Sequence, residues 1–193
     1  MKRANKLILV DADGVLLDWF YSFSSWMNAK GHPLVKPDNY DLSIAFDLDK
    51  PTVKQLTRHF NESAWMEFLS PFRDAAHYVP RLHKEHGYVF HCITSLSNDL
   101  YAANLRQRNL SNLFGPTVFE KLICLDTGED KEEALCRYAN SGCIWVEDKP
   151  ENAEVGYALG LSSILMSHGH NKNFLHHNIP VVNNWKEIYH MIT

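Results

Sequence analysis

The chain has 193 residues, 45% of them hydrophobic and 22% charged, and a formal net charge of −4. That is ordinary globular usage, which argues against disorder and predicts a packed core in one domain, or in one domain carrying an insert. An acidic balance gives no footprint for general nucleic-acid binding, although a local basic groove stays open. The apolar run in MKRANKLILV is too short for a signal peptide and no later run would span a bilayer, so a soluble cytoplasmic protein is expected. The cysteines, at 92, 124, 136 and 143, form no CxxC pair, and three lie in apolar strand-like runs, where a thiol behaves as a small hydrophobe. Disulfides are not expected in such a compartment.

The first predicted element is a strand near 6–10. It opens LILVDADGVLLD (residues 7–18), four apolar residues followed by Asp11, Asp13 and Gly14. Successive strand side chains face opposite ways, but a turn at Gly14 lets both carboxylates converge at the strand's C-terminal edge, where open α/β sheets hold ligands. Like charges that close call for a cation or a shared proton. An ordinary Asp-Gly turn is the plainer alternative.

Residues 19–73 contain no convincing buried strand. An aromatic amphipathic segment, DWFYSFSSWMNAKG, closes at Gly31 and Pro33. A polar loop follows with Pro37, Asp38, Asn39 and Asp41. Helices are predicted over 52–60 and 62–69, the second capped by Asn61. The segment is too long for a plain βα loop, so it reads as a small helical cap inserted after the first strand, with 1–18 and 74–193 forming the core. Pro80 predicts that the helix in 74–86 is kinked or starts late.

Beyond it, strands are predicted near 88–93, 121–125, 143–147, 162–166 and 180–182, with helices over 97–109, 131–140, 150–159 and 185–192. Alternation of this kind implies an α/β fold with a mainly parallel sheet and helices on both faces. The run YVFHCITS ends in Thr94 and Ser95, CIWVED ends in Glu147 and Asp148, and Lys131 stands at the head of a helix between them. Acids, hydroxyls and a lysine at strand and helix edges suit magnesium-assisted phosphoryl transfer, because Mg²⁺ takes hard oxygen ligands and a phosphoryl group needs donors and cations around its oxygens. His168 and His170, in SHGHN, lack an evident third soft ligand and read as a polar loop.

The ordered set DADGV, CITS, Lys131 and VEDKPEN resembles the haloacid dehalogenase-like (HAD) phosphohydrolase superfamily with its Rossmann-like core. It is most similar to the 5'(3')-deoxyribonucleotidase family, whose first motif looks like DMDGVLADF, second like ICTSP and fourth like IDDRPD. FGPTVFEKLICL and the late NNWKEIY also match. The resemblance implies a Mg²⁺-dependent phosphatase of nucleoside monophosphates. Asp11 would be the nucleophile and Asp13 the general acid and base. Thr94, Ser95 and Lys131 would hold the phosphate. Asp11, Asp13 (through its backbone carbonyl) and Asp148 would bind the metal. Trp19 stands where the family stacks an aromatic on the base, and packing between cap and sheet is its alternative. Trp65, Met66 and Phe68 fall in a cap segment that is aromatic in the family. Trp26 and Trp145 read as core, Asp18 as a family acid or a helix cap, and Asn152 as orienting the fourth-motif loop. Lys121 competes with Lys131, which is preferred for the positive helix end beside it. Departures from the family are Glu147, Lys149 and the Arg73–Asp74 pair at the cap hinge. Alternatives are a phosphatase of sugar phosphates, a 3'-phosphatase on nucleic-acid ends, and an inactive phosphate-binding protein. The expected partner is a small phosphate ester.

Overall fold

The structure, a computed structural model, describes residues 6–37, 39 and 41–193. Asp38 of the predicted polar loop and residues 1–5 of the predicted core lie outside the described residues. Six strands form one sheet in the order β3-β2-β1-β4-β5-β6. They are β1 (Leu7–Val10), β2 (Val89–Ser95), β3 (Phe119–Leu125), β4 (Ile144–Glu147), β5 (Ser162–Met166) and β6 (Val181–Val182). Every pairing is parallel.

The short apolar runs become strands because both of their faces are covered. On β1, Ile8 and Val10 enter one apolar cluster and Leu9 another, and on β4 Val146 and Trp145 divide the same way. The larger cluster packs under α1 (Trp19–Ala29), α3 (Lys50–Asn61), α4 (Ala75–His86), α5 (Leu100–Phe114) and α8 (Trp185–Ile192). The smaller one packs under α6 (Glu132–Cys136) and α7 (Pro150–Ala158). Trp145 is buried in the smaller cluster, as expected of core, and Trp26 packs half-buried against the larger one.

Between β1 and α4 the chain is helical: α1, the short α2 (Leu42–Ala45), α3 and a 3₁₀ turn, Ala64–Glu67. Phe23, Met27, Phe46, Phe60 and Met66 of this insert join the same buried cluster as Ile8 and Val10. Two expectations change here. Ser63, not Asn61, caps the short 3₁₀ turn that stands in place of a helix over 62–69, because Asn61 is the last residue of α3. The helix at 131–140 ends at Cys136. Pro80 lies inside α4, which begins directly after Asp74 and closes at Gly87 in the left-handed region, φ 71°. Among the described residues no helix is long and apolar enough to cross a membrane.

Candidate active site

The strand order reverses beside β1, so the loops after β1 and β4 diverge and leave a crevice at the carboxyl edge. A cavity of about 610 Å³ opens there, lined by residues from the ends of β1, β2 and β4 and from the helical insert. That volume suits a small molecule.

Asp11 is buried at the end of β1, and its Oδ1 stands 2.8 Å from the Lys131 ammonium. Lys131 also lies 2.8 Å from Glu147 Oε2 and is itself buried. Asp11, Glu147 and Asp148 offer carboxylate oxygens within 4.8 Å of one another. Three carboxylates around one ammonium are two charges short of balance. Burial first, then the neighbouring carboxylates, pushes Asp11 and Asp148 up to about 7, while Lys131 pulls both down. Burial likewise raises Glu147. A divalent cation held by hard oxygens would close this balance, so the donor set fits Mg²⁺.

Gly14 makes the turn possible twice over. Its φ is +77°, and a Cβ there would lie 2.4 Å from Asp148 Oδ2. The Gly14 carbonyl accepts from His168 Nε2 at 2.7 Å, and the Trp185 indole N–H donates to Val15 O at 2.8 Å. The late Trp-Lys element thus anchors the loop that carries Asp13.

Asp13 lines the same cavity as Asp11. Both its oxygens are held by Arg106 of α5, at 2.6 and 3.2 Å. Thr94 is fully buried, lines the cavity, and has no hydrogen-bond partner for its Oγ1 among the described residues. Ser95 also lines the cavity, but its hydroxyl donates to Glu129 O at 2.7 Å. Lys121, on β3, is exposed, and only Lys131 of the two candidates reaches Asp11.

The insert covers the other side. Trp19 lines the cavity while its ring stacks on Phe23 (4.5 Å between centroids) and its indole N–H donates to Asn61 Oδ1 at 2.9 Å. It is therefore both cavity wall and packing. Asn61 Nδ2 donates to Leu96 O, and Arg58 forks Asp126 at 2.9 and 3.0 Å, so α3 is fastened to the loops after β2 and β3. Met66 is buried, whereas Phe68 is exposed. Asp18 caps α1 by accepting from Tyr21 N–H, and also lines the cavity.

The hinge departure has a structural account. Arg73 adopts φ 47° and donates to Ser167 O at 2.7 Å and to Asn183 O. The Asp74 carboxylate accepts from the backbone N–H groups of Trp185 and Lys186. The pair straps the end of the insert to the far half of the sheet.

His168 and His170 do not form a merely solvated loop. His168 stacks on Phe72 at 4.8 Å, burial lowers it to about 4, and both histidines line the cavity beside Asp148. Arg106 was not expected from the motifs. Its signal is positional: it falls on the buried stripe of α5 with Ala102, Asn109 and Leu110.

Comparison with known proteins decides the family. The model of the family described as "5' nucleotidase, deoxy (Pyrimidine), cytosolic type C protein" matches residues 5–193. The chain belongs to this family. An uncharacterized 32.4 kDa protein from the Gp30-rIII intergenic region of Enterobacteria phage T4 is 29% identical over 133 residues, covering 65% of this chain. The alignment covers 47% of that relative, so the chain spans about half the length of the curated relative it matches. Similar solved structures share the fold. A haloacid dehalogenase-like hydrolase from Streptococcus pneumoniae has a TM-score of 0.67 at 15% identity, covering 97% of this chain and 98% of that one. CbbY from Rhodobacter sphaeroides, solved with phosphate, has a TM-score of 0.62 at 14% identity, covering 96% of each chain.

Proposed function

We propose that this family member hydrolyses nucleoside (deoxy)monophosphates, with Mg²⁺, through a phosphoryl-Asp11 intermediate. The observation that carries the reading is the charge imbalance around Lys131: buried Asp11 and Glu147 share one ammonium, half-buried Asp148 stands beside them, and the Thr94 hydroxyl nearby has no partner among the described residues. Asp11, Asp148 and the carbonyl of Asp13 would hold the metal. Bound there, Mg²⁺ would offset the charge of the attacking carboxylate and of the phosphoryl oxygens.

An Asp11 oxygen attacks phosphorus, the bond to the ester oxygen breaks, and Asp13 gives that oxygen a proton. Asp13 then takes a proton from water, the water oxygen attacks phosphorus, and the Asp11–phosphorus bond breaks to release phosphate. Lys131 orients Asp11 and meets the negative charge of the transferring group. Thr94 and the backbone around Ser95 complete the phosphate cradle. Trp19, Phe20 and Phe72 give the cavity aromatic walls, which favours a base over a bare sugar. Phosphate in the CbbY relative supports a phosphate-ester substrate.

The test is a panel of nucleotides, sugar phosphates and aryl phosphates assayed with Mg²⁺ and with excess chelator. Hydrolysis should need Mg²⁺ and favour nucleoside monophosphates. Asp11→Asn should fold normally and lose turnover. Full activity in that variant, or in chelator, would overturn the mechanism.

A further inference from the structure

We infer that Arg106 is a positioning residue for Asp13, fixing the carboxylate that serves the leaving group. This deepens the general-acid reading of Asp13 and rests on it. Arg106 lies on α5, remote from the DxD loop in sequence, and is fully buried. Its Nη1 donates to Asp13 Oδ1 at 2.6 Å and its Nη2 to Oδ2 at 3.2 Å. Nη2 also meets Met66 Sδ of the insert at 3.4 Å, and Nε has no hydrogen-bond partner among the described residues. Asp13 is therefore the only carboxylate paired with this guanidinium among the described residues.

A buried guanidinium is costly unless paired with good geometry. A purely structural pair would be satisfied by any buried acid. Here the partner is a side chain that keeps 23% of its surface exposed and lines the reactive cavity. A two-point fork also does what one contact cannot: it stops rotation of the carboxylate about its last torsion. Each oxygen spends one acceptor direction on Arg106 and keeps another for the cavity. The plane in which Asp13 meets the leaving oxygen is thus set by a residue that touches no substrate. Contact with Met66 ties that plane to the packing of the helical insert.

The experiment compares phenyl phosphate, whose leaving group needs a proton, with p-nitrophenyl phosphate, whose leaving group does not. Variants are Arg106→Gln, Arg106→Lys, Asp13→Asn and the Arg106→Gln/Asp13→Asn double, each with a thermal melt. Arg106→Gln should lower kcat on phenyl phosphate by about 10–100-fold, a large share of typical acid–base help, with KM within about threefold. The loss on p-nitrophenyl phosphate should be at least about fivefold smaller. Arg106→Lys, which keeps the charge but not the fork, should fall between wild type and Arg106→Gln. In the Asp13→Asn background, Arg106→Gln should add nothing further to the kinetic defect.

Equal losses on both esters, or a loss that multiplies in the Asp13→Asn background, would overturn the positioning role. If Arg106→Gln does not fold, Arg106→Lys decides by the same two comparisons. Equal losses in Asp13→Asn itself would instead remove the general-acid reading, while the double variant still reports whether Arg106 acts through Asp13.

Discussion

Replacing Lys131 by methionine tests the charge balance of the site directly. The side chain keeps its approximate length and apolar stem, but Asp11 and Glu147 lose their shared ammonium and Asp148 loses the nearest cation of its cluster. Removing one partner of a buried ion pair costs about 3–5 kcal/mol when the remaining charge cannot escape. Here the charge can escape by protonation, so the cost must depend on pH. Asp11 and Asp148 stand at about 7 in the folded protein, raised from 3.8. Carboxyls raised in this way favour folding below about pH 4, and that contribution is lost as pH climbs through 7. Without Lys131 the carboxyls hold their protons to still higher pH. At pH 5.5 Asp11 and Asp148 are largely protonated with or without the lysine, and the variant should lose clearly less than at high pH. At pH 8.5 the loss should approach about 3–5 kcal/mol, which for a chain of this size lowers Tm by about 6–20 °C. The assay is thermal and denaturant unfolding in chelator at the two pH values, with Lys131→Met/Glu147→Gln as a control expected to recover part of the loss. An equal fall at both pH values would mean that Lys131 contributes packing rather than charge. An unchanged Tm at pH 8.5 would refute the electrostatic reasoning.

The same imbalance predicts a pH-dependent metal effect: Mg²⁺ at a hundred times its dissociation constant should stabilise the protein by about 2.7 kcal/mol at pH 7.5. It should do far less at pH 5, where Asp11 and Asp148 hold protons, and equal Tm rises at the two pH values would count against those residues as ligands. Trp19→Ala should weaken nucleoside monophosphates relative to a simple aryl phosphate by about 1–3 kcal/mol if base stacking is lost. Because Trp19 also packs on Phe23 and bonds Asn61, Tm should fall as well, and equal kinetic losses on both substrates would reduce Trp19 to packing alone and favour the sugar-phosphate reading.

The fold was legible because its strands are short apolar runs ended by polar residues, and its helices carry recognisable ends. β4, for example, is Ile144–Glu147, within the run CIWVED. Pattern misled where propensity and packing disagreed. Residues 62–69 look helical in pattern, but Asn61 is drawn to Trp19 and Leu96 O, which ends α3 and leaves room only for a 3₁₀ turn. Pro80 would break an isolated helix, yet α4 runs through it, held by Val79 and Leu82 against the buried cluster. Tertiary burial outweighs the local penalty there.

The site was legible in its acids and not in their partners. A strand-end carboxylate announces itself, because apolar residues lead straight into it. Which cation meets it depends on elements far away in sequence. Lys131 could be favoured over Lys121 by the helix beside it, but not paired with both Asp11 and Glu147 until β1 and β4 were known to be neighbours. Arg106 is the stronger case. On a helical wheel it is merely a charge on an apolar stripe, and such a residue usually marks a misjudged face. The parallel sheet brings α5 over the DxD loop, and the misplaced charge becomes the partner of Asp13. Together the two cations divide the acids: Arg106 takes Asp13, Lys131 is shared by Asp11 and Glu147 at 2.8 Å each, and Asp148 has no cationic side chain of its own within 3.5 Å among the described residues. One ammonium shared by Asp11 and Glu147, with none on Asp148, leaves this cluster short of positive charge, and it is there that a metal would do most to restore balance.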